Sequence, residues 1–285
     1  MKEKWLVVSN CQTAGLGNCL SLLCPQVDID TCDIWRFRSE RSEWLSRIAD
    51  YRHLIFNPEL QEMGLLDSIP LDNVTFVPGF DFRGFHPDLA YVTREGVVIK
   101  SAMDDYHSLI VATAYRRGLT PDSAKQLFAA STYQKLGYFS IWESEKKMLV
   151  DRFSAHGLDV RAEFVKWMRE GGFMHSKNHP KIGAIYDVAS KVARKLQGDA
   201  VVEAGIRPHD NLVVAPIFPI YPEIAERYGV RTGSYFFKGF DSYRPFHLDE
   251  FIASSYDVYS GYPVEELEVH SPHYEKAMNL AWEQI

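Results

Sequence analysis

No stretch of about 18 consecutive apolar residues occurs in the 285-residue chain, which leaves no candidate for a membrane-spanning helix. Met1-Lys2-Glu3-Lys4 is followed by only four apolar residues, too few for the core of a secretory signal. The protein is therefore expected to stay in the cytoplasm and to insert into no membrane. Positive charge is also in short supply: 31 Lys and Arg face 38 Asp and Glu, a net charge of −7. That balance gives no electrostatic reason to bind nucleic acid or an anionic membrane, although a local basic pocket for a phosphorylated small molecule is compatible with it. Cysteine is scarce and clustered, with Cys11, Cys19, Cys24 and Cys32 all in the first 32 residues. None forms a CxxC pair and no histidine interrupts them, so neither a zinc site nor any other metal is expected, and a reducing cytosol argues against disulfides. The third glycine of a G-x-G-x-x-G loop is missing after Gly15-Leu16-Gly17, where Leu20 stands instead. No DxD-type metal motif is found, since Asp104-Asp105 falls at an expected helix start, and this disfavours a metal-dependent glycosyltransferase. With no repeat, low-complexity tract or linker, and 46% hydrophobic residues, residues 1–285 read as a single α/β domain. Residues 1–100 are its sheet-forming part, 101–200 a helical block, and 201–285 a closing strand and helices.

What is present begins with Leu6-Val7-Val8-Ser9-Asn10-Cys11-Gln12-Thr13, an apolar run that breaks into small polar residues with a cysteine at the break. Trp5 to Val8 is short and β-branched, as in a strand. Leu16, Cys19, Leu20 and Leu23 recur at i, i+3, i+4, i+7, as on one face of a helix. Cys11 then sits at a helix N-terminus, where free N–H groups and the helix dipole favour a thiolate nucleophile. The same N–H groups, with the Gln12 amide, could hold an oxyanion. The alternative is an ordinary buried cysteine.

Arg52 to Pro58 and Val74 to Gly79 each read as a short strand stopped by a proline, so three strands with helical spacers suggest a small parallel sheet. Ligands of such sheets lie outside the carboxyl ends of the strands, the edge shared by Cys11, Asn57 and the segment after Gly79. That segment, Phe80 to Leu89, carries Arg83, His86 and Asp88; these are either functional, or His86 braces the loop while Asp88 caps the next element. A helix is expected from an Asp104 N-cap to Gly118. Others open at Thr120-Pro121, at the capping box Ser140 to Glu143, and at Asp159, the last ending at Gly171-Gly172. His175, Lys177, Asn178, His179, Pro180 and Lys181 lead into a helix reaching about Leu196, with Asn178 or His179 as cap. Lys177 and Lys181 beside free N–H groups suit a phosphate. Leu212 to Ile217 reads as a strand, and helices are expected over 248–256 and 273–284. The aromatics Tyr221, Tyr235, Phe236, Phe237, Phe240, Tyr243 and Phe246 between them suit a satellite core or stacking on an adenine or sugar.

Val8-Ser9-Asn10-Cys11-Gln12, then Phe85-His86-Pro87-Asp88 after the last of these strands, then Asn178-His179-Pro180 heading a helix, together resemble the WcbI family of polysaccharide biosynthesis proteins. The resemblance runs in order over roughly residues 5–260. Its one noted departure is Ser9, where a glycine is expected before Asn-Cys. The family is regarded as acetyltransferases of capsular polysaccharide that bind coenzyme A on a fold likened to papain-like cysteine peptidases. The resemblance therefore implies acetyl transfer from acetyl-CoA to the hydroxyl of a sugar or glycan acceptor, with Cys11 as nucleophile and His86 or His179 as base. Asp88 would orient an imidazole, and His86 is favoured as the base because Asp88 shares its loop and both follow a strand end on the Cys11 edge; Gln12 would serve the oxyanion, and Arg83, Lys177, Asn178 and Lys181 hold coenzyme A. Two other readings stay open: an esterase or hydrolase acting on acylated glycans, and a non-catalytic module that binds coenzyme A or a nucleotide sugar.

Overall fold

Trp5, Leu6, Val7 and Val8 are successive apolar residues, and all four are fully buried, as in a parallel strand covered on both faces. In the computed structural model, which describes residues 2–203 and 205–280, they form the centre of β1 (Glu3–Ser9). β2 (Val27–Asp33) pairs in parallel with one edge of β1 and β3 (His53–Phe56) with the other. β4 (Val74–Phe76) extends the sheet beyond β3, giving the order β2-β1-β3-β4. An α/β fold with a small parallel sheet in the N-terminal part and a large helical complement is thus what the chain adopts. The sheet has four strands because β2, absent from the expected set, joins its edge.

The chain forms two compact units, each built from separated segments. The first takes Met1–Asp81, Lys147–Met174 and Asn178–Leu212; the second takes Phe82–Lys146, His175–Lys177 and Val213–Ile285. The segments interleave, unlike the expected succession of 1–100, 101–200 and 201–285.

In the first unit, α1 (Thr13–Leu23) follows β1 and buries Leu16, Cys19, Leu20 and Leu23, the face read from the spacing. Gly15 and Gly17 lie inside α1, where they permit close approach. A Cβ at Gly15 would come within 2.9 Å of Ile185 Cδ1 on the helix Ile182–Gln197, and one at Gly17 would collide with Thr31 Cγ2 on β2. Their role is packing, not phosphate binding. One cluster on the sheet gathers Leu6, Val8, Phe37, Trp44, Leu54 and Phe56, and Phe80, Phe153, Trp167 and Phe173 form a second aromatic group.

In the second unit, β5 (Leu89–Arg94) pairs antiparallel with Glu268–His270, Val97–Val98 and His107–Ser108. Around this sheet fold helices that include Leu109–Arg116, Pro121–Gln126, Ala130–Leu136 and Leu248–Ser260. Tyr221 and Phe237 are buried with Phe218 and Phe251, the satellite-core reading of the aromatic region, whereas Phe236, Phe240 and Tyr243 stay exposed.

Several local expectations need correction. The helix expected from Asp104 starts at Leu109 with Ser108 as its cap; Asp104 itself sits in a turn at φ +57°. The Ser140 hydroxyl donates to Gly137 O instead of capping, and its helix begins at Trp142. Leu212 to Ile217 forms no strand of its own: Asn211–Val214 is a 3₁₀ turn, and only Ile217 bridges to Lys238. The N-cap of the helix Ile182–Gln197 is Lys181, because Pro180 is held back in a bridge with Met174. The closing helix is seen over Tyr274–Asn279, and residues 281–285 lie outside the described residues.

Candidate functional site

β1 ends in a turn that its own side chains fold. Asn10 Oδ1 accepts from Gln12 N at 3.2 Å, the Thr13 hydroxyl donates to Asn10 O at 2.7 Å, and Ser9 N donates to that hydroxyl at 3.1 Å. Ser9 closes the strand as a buried residue at no positive φ, so the departure from glycine requires no rearrangement here. Cys11 is half-buried at the head of α1, while Cys19, Cys24 and Cys32 are buried. The helix has no side-chain cap.

The expected thiolate is not favoured. Burial pushes the Cys11 thiol up to about 11, the Glu59 charge adds to this, and the residue's own backbone N–H only partly opposes it. Burial likewise raises Cys24 and Cys32 to about 11 and Cys19 to about 12. Accessibility, not acidity, sets Cys11 apart.

Gln12 fastens three segments of the first unit. Its side chain is 4% exposed, with Oε1 accepting from Phe80 N at 3.1 Å and Nε2 donating to Phe80 O at 3.3 Å and to Asn178 O at 3.1 Å. Both amide N–H groups are therefore committed to carbonyls, and oxyanion donors near Cys11 are left to backbone N–H groups. Asn57 is buried at the end of β3, its Nδ2 3.5 Å from Ser9 Oγ.

Within the same unit, Asn178 and His179 precede the helix Ile182–Gln197, and the bond from Gln12 brings that segment to the residue next to Cys11. The phosphate site expected at this helix start is modified. Asp210 Oδ2 accepts from Ile182 N at 2.9 Å, so a carboxylate already serves the first turn. Lys181 Nζ donates to Gly172 O at 2.9 Å, and burial lowers its pKa, with Asp210 acting in the opposite sense. A cavity of about 260 Å³ beside it is lined by Trp167, Phe173, Lys181, Gly183, Arg207 and Asp210. Arg207 escaped the sequence reading; its signal was the short loop Arg207-Pro208-His209-Asp210.

Arg83, His86, Asp88 and Lys177 belong to the second unit. Arg83 N donates to Glu145 Oε2 at 2.7 Å, and Lys177 Nζ lies 5.1 Å from the centre of the Tyr91 ring. His86 is buried, its ring edge-on to Phe85 and Phe218. Asp88 is fully buried and receives the hydroxyls of Tyr138 at 2.7 Å and Tyr221 at 2.6 Å, Ile110 N at 3.0 Å, and the Ser108 hydroxyl. Those donors fill the acceptor positions of a carboxylate, so Asp88 anchors a helix start and two tyrosines rather than an imidazole. Burial raises its pKa to about 6 against those hydrogen bonds. Among the described residues no group of three His, Cys, Asp or Glu is placed to hold a metal ion, and no helix is long and apolar enough to cross a membrane.

A family model described as "Polysaccharide biosynthesis enzyme WcbI" matches residues 4–200. No curated protein matches the sequence. Among solved structures, one of WcbI, described as a novel polysaccharide biosynthesis enzyme in native form without a disulfide bond between coenzyme A and one of its cysteines, is similar. It has a TM-score of 0.70 at 13% identity, covering 100% of this chain and 97% of that one.

Proposed function

Because the chain belongs to the WcbI family of polysaccharide biosynthesis enzymes, we propose that it transfers an acyl group, acetyl in the first instance, from coenzyme A to a sugar hydroxyl of a capsular or surface polysaccharide. The observation that carries this reading is the half-buried Cys11, held at the carboxyl end of β1 by Asn10 and by the Gln12 fastening. The solved WcbI structure, characterised by the state of a disulfide between coenzyme A and a cysteine, supports it, since Cys11 is the cysteine here that a thiol ligand can reach.

In the covalent route, Cys11 sulfur attacks the thioester carbonyl as its proton passes to an imidazole, and the coenzyme A thiolate leaves with that proton. The sugar oxygen then displaces Cys11, its own proton passing through the same imidazole back to sulfur. A thiol raised to about 11 favours a second reading, direct attack of the hydroxyl on bound acyl-CoA with Cys11 lining the site. His179 is the preferred base over His86. It adjoins the carbonyl that Gln12 holds, and the partner expected to orient His86 is engaged by tyrosines. Gln12 N and Thr13 N are held by Asn10, so the oxyanion role is assigned to the other backbone N–H groups at the head of α1. Lys181 with Arg207 and the Asn178 segment, all of the first unit, are the residues assigned to the phosphates and the pantetheine arm.

Turnover of acetyl-CoA with a glycan acceptor tests the proposal. His179→Asn should lose ~10²-fold or more in rate with folding retained. Cys11→Ala should be nearly inactive on the covalent route and keep much of its rate on the direct one. Full activity in both His179→Asn and His86→Asn would leave the transfer without a base and favour a binding module.

A further inference from the structure

Asn10 stands between Cys11 and a carboxylate. Its Oδ1, already bonded to Gln12 N, lies 3.9 Å from Cys11 Sγ, and its Nδ2 donates to Glu59 Oε1 at 3.5 Å. Glu59 follows Pro58 and is fixed through its backbone, whose N–H donates to the buried Asn57 Oδ1 at 3.0 Å. Gly79 closes the other flank. A Cβ there would come within 2.7 Å of Asn10 Nδ2 and 3.3 Å of Asn57 Nδ2, so main chain packs directly against these amides. The Glu59 side chain is exposed, and among the described residues no Lys or Arg forms an ion pair with it. Arg152 Nη1 donates to Gly79 O at 3.5 Å, so the cation on this flank is engaged by main chain, and the Glu59 carboxylate is tied to the thiol's neighbour Asn10 by residues from the ends of β1 and β3.

We propose that Glu59 restricts this site to uncharged acyl groups, admitting acetyl and its neutral homologues and rejecting acyl groups that carry a free carboxylate, such as succinyl or malonyl. The inference rests on the acyl-transfer reading above. A carbonyl brought to Cys11 carries the rest of its acyl chain into the space shared with Glu59, where a like charge is repelled. Selectivity then comes from a repulsive element rather than from a fitted pocket. The same charge turns the phosphates of coenzyme A away and leaves the neutral pantetheine end to approach Cys11.

Two measurements on wild type and Glu59→Gln test this; glutamine keeps an acceptor for Asn10 Nδ2 while removing the charge. The first is native-state alkylation of Cys11 by neutral iodoacetamide and anionic iodoacetate, referred to a short cysteine peptide. Wild type should favour iodoacetamide by ~10-fold more than the peptide does, and Glu59→Gln should return to within about twofold of the peptide. The second is the ratio of kcat/KM for succinyl-CoA to that for acetyl-CoA, which should rise about tenfold or more in Glu59→Gln. An unchanged haloacetate ratio, or succinyl-CoA used as well as acetyl-CoA by wild type, would overturn the proposal. A shifted haloacetate ratio with no turnover of either thioester would instead overturn the acyl-transfer reading, and the acyl restriction with it.

Discussion

Replacing Gln12 by leucine decides whether this side chain fastens the site or serves the reaction. The substitution removes three hydrogen bonds to main chain and leaves Phe80 N, Phe80 O and Asn178 O without their partner. Each bond contributes about 1 kcal/mol net, and a buried main-chain group left unpaired costs about 1–3 kcal/mol. The Asn178 carbonyl is only part-buried and can recruit water, so its share is smaller. The expected loss is therefore ~3–5 kcal/mol, a large fraction of the ~5–15 kcal/mol available to a folded domain. Gln12→Glu keeps the acceptor for Phe80 N but turns a carboxylate toward two carbonyls, and should be destabilised at least as much. Urea unfolding followed by tryptophan fluorescence and by circular dichroism measures both. A side chain acting as an oxyanion donor would behave oppositely, with kcat reduced ~10²-fold or more and stability nearly intact. A loss below ~1 kcal/mol in Gln12→Leu would refute the fastening role.

Cys11 should be the cysteine labelled in the native protein, but slowly. With its thiol raised to about 11, the thiolate at pH 7 is ~10⁻⁴ of the total against ~3% for an ordinary thiol, so iodoacetamide should react ~300-fold more slowly than with a free cysteine. The rate should climb about tenfold per pH unit up to pH 10, and a plateau below pH 9 would contradict this. Tyr221→Phe removes one donor from buried Asp88 and should cost about 2 kcal/mol at pH 7. Asp88 titrates near 6 in the fold, above its unfolded value, so the native state binds the extra proton and this group's contribution to stability falls as pH rises from about 4 to 6. Denaturation midpoints of Tyr221→Phe should accordingly lie closer to wild type at pH 5 than at pH 7. Gly17→Ala should destabilise by ~1–3 kcal/mol despite better helix propensity, because its Cβ meets Thr31, and Thr31→Ser should restore part of the loss in a double-mutant cycle.

β1, α1 and the place of Cys11 between them were legible because an apolar run and an i, i+3, i+4, i+7 face are local signals. β2 was not. Val27-Asp28-Ile29-Asp30-Thr31-Cys32-Asp33 is an edge strand whose three aspartates break up the apolar pattern, and its place is set by main-chain pairing to β1. Asp88 was ambiguous for a different reason: a His-Pro-Asp loop looks the same whether the carboxylate meets an imidazole or a hydroxyl. The deciding tyrosines lie 50 and 133 residues further along. The cap of the helix Ile182–Gln197 was misplaced because its first N–H is served by Asp210, 28 residues on. Helix-end arguments alone misjudged the Cys11 thiol, since burial, which no local pattern reveals, outweighs them.

The bond from Gln12 to Asn178 spans 166 residues of chain. At a synthesis rate of ~5–20 residues per second, that is roughly 8 to 30 seconds during which a nascent chain carries Cys11 without the contact that fixes the turn beside it. The sheet can begin to pair once β3 and β4 have emerged, but the loop bearing the thiol closes only after most of the protein has been made. Release of a truncated product before that point would yield a chain with β1 and its cysteine present and this closure missing. The order of synthesis thus keeps the position of Cys11 unassembled in every copy that stops short of Asn178.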